Sequence, residues 1–149
     1  MLIEFHVALF ADNPRGKAIR VGSEPLGLVR KRSEKALLWL LEAGVNINRM
    51  QLRDNKLPLL YNSGVRYKRE PRGEEKWRDA VHVFSEQHGD CEDLSMYRIA
   101  ELRNSGRWAE PYIRFRVAPD GLLIYHVMVF RGKGKLEDPS KILGMEGSD

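Results

Sequence analysis

One segment gathers groups suited to covalent chemistry: Gly89-Asp90-Cys91-Glu92-Asp93-Leu94-Ser95, around the only cysteine of the chain. Asp90 is a natural N-cap, and Asp93 three positions later completes something close to a capping box, so the spacing predicts a helix opening at Cys91. In that first turn a thiol meets unpaired backbone N–H groups and the positive end of the helix dipole, which favour the thiolate, its nucleophilic form. The same N–H groups, that of Cys91 among them, suit the oxyanion that forms when an acyl carbon is attacked. Against this, Asp90, Glu92 and Asp93 raise the thiol pKa unless they point away or are neutralised. Activation therefore calls for a cationic imidazole.

His126 is the candidate. On its strand it shares a face with Ile124 and Met128, which predicts that it points toward helices packed on the sheet, either as a satisfied core histidine or as a base facing a nucleophile. Asp138 stands twelve residues on, at the end of the next strand. Adjacent strands lie about 4.8 Å apart, so its carboxylate can reach the far ring nitrogen and hold the imidazole in one tautomer. Asp138 before Pro139 reads equally as a helix N-cap with proline at the first helical position. A metal reading of His82, His88 and Cys91 fits no common zinc spacing.

Taken together, the three residues carry a resemblance. Gly89-Asp90-Cys91-Glu92-Asp93-Leu94, then Tyr125-His126-Val127, then Glu137-Asp138-Pro139 resemble the transglutaminase-like superfamily, and most of all its bacterial cysteine proteinases. The resemblance runs from about Trp77 to Gly144. It implies a papain-like α+β core in which the nucleophile helix packs on an antiparallel meander. It also implies a Cys91–His126–Asp138 triad acting on amide bonds of a protein or peptide. Compact relatives without a leader are familiar from phage and prophage genomes. Some relatives bind calcium through acidic residues at the positions of Asp90, Glu92 and Asp93, which equally read as capping and solvated groups.

The elements that must position these groups are unevenly legible. Leu2 to Phe10 alternates as a strand, and Asp12 to Arg32, rich in Gly, Pro and basic residues, reads as loop. Ser33 caps a helix carrying Leu37, Leu38 and Leu41, with Gly44 as its stop. Val45 to Arg72 reads as an irregular wrap. Glu74 to Gln87 has a helical stripe of Trp77, Ala80, Val81 and Phe84, broken at Gly89; Trp77 is most simply a core or groove-wall residue, or else one that lines the site entrance. A second helix runs from Cys91 to Asn104. Strands follow at Tyr112 to Val117, Leu122 to Arg131 and Lys135 to Asp138, joined by Pro119-Asp120-Gly121 and Gly132-Lys133-Gly134. Helices followed by a meander argue for one α+β domain over 1–149, with its recognisable core at about 74–144.

Composition sets the outer bounds. At 149 residues, 42% hydrophobic and 31% charged, the chain can bury a core of its own. No apolar run approaches the roughly 20 residues of a membrane span. The N-terminus lacks a basic leader and a single cysteine excludes an internal disulfide, which predicts a cytoplasmic protein. The charge is +4, with basic residues interleaved among acidic ones, so a nucleic-acid-binding module is a minor alternative. A non-enzymatic assembly or binding protein is the other rival. Tyr61 and Tyr67 are candidate side-chain donors to an oxyanion. Arg114 and Arg116 read as solvated positions or as an edge that steers an acidic substrate. No cofactor is called for.

Overall fold

The computed structural model describes residues 26–71, 76–117, 119 and 123–147, without the side chains of 26–33, 117 and 123. The strand expected at Leu2 to Phe10 and most of the Pro119-Asp120-Gly121 turn lie outside these residues. The fold is α+β, with four helices, a three-stranded antiparallel sheet and a two-stranded parallel pair among the described residues.

Helix α1, Leu26–Asp54, is 29 residues long. It begins inside the segment expected to be loop, runs through Ser33, and does not stop at Gly44. Its buried stripe continues past the glycine as Leu37, Leu41, Val45, Asn48 and Leu52, spaced as one face of a helix. Gly44 has a packing role instead: a Cβ there would lie 2.2 Å from Met96 Sδ. The glycine thus lets α1 approach its neighbour, and the missing side chain imitated a stop signal.

After α1 come a 3-10 turn at Leu60–Asn62 and strand β1, Arg66–Tyr67. Helix α2, Ala80–Glu86, is much shorter than the Glu74–Gln87 stripe suggested. Its start is fixed by acceptors. Asp79 Oδ1 receives the His82 N–H at 3.0 Å. From α1, Asn48 Oδ1 receives the Ala80 N–H at 2.8 Å and Gln51 Oε1 that of Val81 at 3.1 Å. The face it buries is Ala80 and Val83, not Val81 and Phe84. Gln87 turns left-handed at φ 61° and ends it, and His88–Gly89 forms β2, parallel to β1.

Helix α3, Cys91–Asn104, is the central element. The expected capping box is present, with Asp90 and Asp93 each accepting from the other's backbone. Leu94, Met96, Tyr97, Ile99, Ala100 and Leu102 are buried around it, and so are Glu92, Asp93, Ser95 and Glu101. Strands β3, Glu110–Val117, β4, Leu123–Phe130, and β5, Leu136–Glu137, make the expected meander in the order β3-β4-β5. Helix α4, Pro139–Ile142, follows at once.

Register corrects one expectation. Ile113 pairs with Val127 and Arg114 with His126, and directly opposed residues share a face of the sheet. Ile113, Val127 and Val129 belong to the core packed with α1 and α3. His126 therefore stands on the reverse face, beside Arg114 and Arg116, instead of pointing into the helix layer. Period-2 alternation identified the two faces of the sheet but not which one the helices cover.

Candidate functional site

His126 and Asp138 come together. Val129 pairs with Glu137 and Phe130 with Leu136, which carries Asp138 to the same face as Met128 and diagonally toward His126. The His126 Nε2 to Asp138 Oδ2 distance is 3.0 Å, with His126 only 6% exposed. Asp138 is also the N-cap of α4, its Oδ1 accepting the Lys141 N–H at 3.3 Å, with Pro139 opening the helix. Asp138 thus makes both expected contacts at once, one through each oxygen. Burial acts to raise the Asp138 pKa, but the His126 contact and the Lys141 amide outweigh it, and the carboxyl ends below its ordinary value.

Glu137, the residue before, is clamped. Arg98 Nε lies 2.5 Å from its Oε1, the Tyr61 hydroxyl donates to the same oxygen, and Arg131 holds Oε2 at 2.7 Å. Arg98 also pairs with Glu101, whose other oxygen accepts the Leu60 N–H at 2.8 Å, and its guanidinium sits over the Tyr61 ring. Tyr61 is thus committed to holding β5, not poised as an oxyanion donor. Burial and the Glu137 contact push its pKa upward. Sequence reasoning missed this network, whose members are spread from Leu60 to Glu137 with no local signature. Tyr67 lies in β1, paired with Gly89. Trp77 is 6% exposed within the core, beside Gly44, Asn48 and Met96 of α1 and α3, and does not line an entrance.

Cys91 opens α3 against β4. Where β5 pairing stops at Val129, the backbone of Val127 is taken up by α3: its C=O accepts from Ser95 Oγ at 3.0 Å, and its N–H lies near enough to the Cys91 sulfur to act on the thiol pKa. The sulfur therefore lies against the residue next to His126. Its own hydrogen bond runs to Glu92 Oε2 at 3.1 Å, not to the imidazole. Burial, then the charges of Glu92 and Asp90, push the thiol pKa well above its usual value, and the Val127 amide offsets this only in part. Of the two opposing effects expected at the helix start, the carboxylates and desolvation win and disfavour the thiolate.

The three acidic residues of the first turn do not form a calcium cage. Asp93 is fully buried, and its Oδ1 accepts the Arg78 N–H at 2.6 Å. Its Oδ2 faces the Arg78 guanidinium and the Asp90 N–H, each at 3.4 Å. Glu92 is turned to Cys91 and, at 3.5 Å, to the Tyr125 hydroxyl. The oxygens of Asp93 and Glu92 are spent on separate partners. Of the residues weighed for zinc, His82 pairs with Asp79 and His88 with Glu86. Among the described residues no group of three or more His, Cys, Asp or Glu is arranged to hold a metal ion, and no helix is long and apolar enough to cross a membrane.

A cleft opens on the reverse face, lined by Arg114, Arg116, Ile124, His126, Asp138 and Lys141. Comparison of the chain with protein-family models, with curated proteins and with solved structures found no match to any of them.

Proposed function

We propose that the protein is a thiol hydrolase or acyltransferase acting on amide bonds, most simply a cysteine peptidase or amidase of transglutaminase-like type. The observation that carries this proposal is the His126–Asp138 pair at 3.0 Å, next to the backbone on which the Cys91 sulfur rests. With Asp138 on Nε2, Nδ1 is the ring nitrogen that would serve the thiol. The reaction requires the Cys91 side chain to turn from Glu92 toward the ring. The sulfur attacks the amide carbon as His126 takes the thiol proton, and the backbone N–H of Cys91 at the helix start supports the oxyanion. The carbon–nitrogen bond then breaks, and His126 returns the proton to the departing amine. A water molecule, deprotonated by His126, cleaves the thioester to release the acid and restore the thiol; an amine in its place gives transfer. Asp138 holds the ring tautomer and stabilises the imidazolium throughout.

The test is p-nitrophenyl acetate, an activated ester that needs no recognition. The expected result is a burst of nitrophenol, with acetyl recovered on Cys91 by peptide mass mapping, and no burst from Cys91→Ala. Folded wild-type protein that leaves Cys91 unacylated would refute the proposal.

A further inference from the structure

We infer that the sheet face beside His126 is a subsite for a carboxylate-bearing side chain, so that the preferred substrate is a peptide with Asp or Glu next to the reacting amide. The inference rests on the thiol-hydrolase proposal for what happens at Cys91, but its own basis is a different set of residues. Arg114 lies directly across from His126, and Arg116 across from Ile124, so both guanidinium groups stand on the histidine's face. Lys141, from the first turn of α4, closes the same cleft. The cleft they line is small, about 60 Å³, and opens to solvent, room for the carboxylate end of one acidic side chain.

Four arginines among the described residues are held in ion pairs, and Arg114 and Arg116, like Arg49 and Arg107, are not. Arg78, Arg98, Arg103 and Arg131 are each tied to a carboxylate. Arg114 and Arg116 are exposed and have no acidic partner among the described residues. The one carboxylate in the cleft, Asp138, is engaged by His126 and the Lys141 amide. Among the described residues, three cations thus face a cleft whose single anion is already satisfied. A guanidinium presents paired donors that match a carboxylate two at a time, and two such groups on alternate positions of one strand lie about 7 Å apart, close enough to act on one acidic residue or on two in succession. Ile124 supplies apolar contact for the methylenes between.

The experiment compares peptidyl chloromethyl ketones that are identical except for one residue beside the warhead: Glu, Gln, Lys or phosphoserine. The sulfur–carbon bond forms as chloride leaves, and intact mass follows the adduct. Each rate is divided by the iodoacetamide rate of the same protein. The wild type is expected to favour Glu over Gln by about tenfold, the size of one hydrogen-bonded charge, with Lys slowest and the preference shrinking as salt rises. In the Arg114→Gln/Arg116→Gln double variant the Glu to Gln ratio should fall toward one. Equal Glu and Gln rates in the wild type would overturn the inference, and a preference for phosphoserine over Glu would overturn the carboxylate assignment. Should no reagent label Cys91 faster than it labels a His126→Ala variant, the hydrolase proposal itself fails. Fluorescence polarisation of a labelled Glu-containing peptide, with and without the two arginines, then decides the subsite separately: binding that is lost in the double variant supports it, and unchanged binding refutes it.

Discussion

At Cys91 the helix dipole and the acidic first turn act on one sulfur in opposite directions, and the carboxylates prevail. Glu92 is 2% exposed and accepts the thiol hydrogen bond, which disfavours the thiolate. Replacing Glu92 by Gln removes the second-largest cause of the raised pKa while keeping the shape. Alkylation of Glu92→Gln by iodoacetamide at neutral pH should exceed that of wild type by about tenfold, one pKa unit of thiolate population; equal rates would show that Glu92 does not restrain the thiol. Asp138 does two jobs with two oxygens, and two substitutions separate them. Asp138→Asn keeps a good helix cap but removes the charge from His126, so acylation should fall by about a hundredfold or more with little change in melting temperature. Asp138→Ala loses both and should cost about 1 kcal/mol of stability besides. The residue types and their order were readable because capping boxes and strand alternation are local patterns. That Cys91 would hydrogen-bond to its own neighbour was not, since side-chain direction within one helical turn is set by the packing of α3 against β4.

The elements were legible in proportion to how local their causes are. Helix α3 begins and ends where its capping residues say, and the meander follows its alternation. Helix α1 was misread because Gly44 has two meanings, a helix stop or a site of close approach, and only Met96, 52 positions away, decides between them. Filling that position should therefore disturb packing and not helix formation: Gly44→Val is expected to cost about 1–3 kcal/mol, seen as a lower denaturant midpoint with an unchanged slope. Unchanged stability would mean that α1 and α3 are not in close contact there. Helix α2 was overextended because its N-terminal acceptors, Asn48 and Gln51, lie on another helix. The clamp on Glu137 joins the 3-10 turn, α3, β4 and β5 through Tyr61, Arg98, Arg131 and Glu101, and it fixes the short strand that delivers Asp138.

For the molecule as a whole, the layers sort structure from chemistry. One face of the sheet is buried against α1 and α3, while the other carries His126, Arg114 and Arg116 into an open cleft. The sequence shows which residues alternate, and only the assembled fold shows which alternation faces inward. Acid stability follows from the same placement. The folded pKa of Asp138 is depressed, so its contribution is present above the unfolded value of about 3.9 and is lost as pH falls through the folded one. The difference in unfolding free energy between wild type and Asp138→Asn, measured by denaturant titration, should accordingly shift against the wild type as pH falls below about 4. A difference that stays constant to pH 2 would show that the carboxylate is not held by His126.

The most direct measurement of the central claim is the rate at which a peptidyl chloromethyl ketone attaches to Cys91 in wild-type and His126→Ala proteins, followed by intact mass at neutral pH. A shared proton path between imidazole and sulfur predicts a single adduct on Cys91, formed about a hundredfold or more slowly without the histidine. Equal rates in the two folded proteins would contradict the account, because the sulfur would then be reacting without help from the ring.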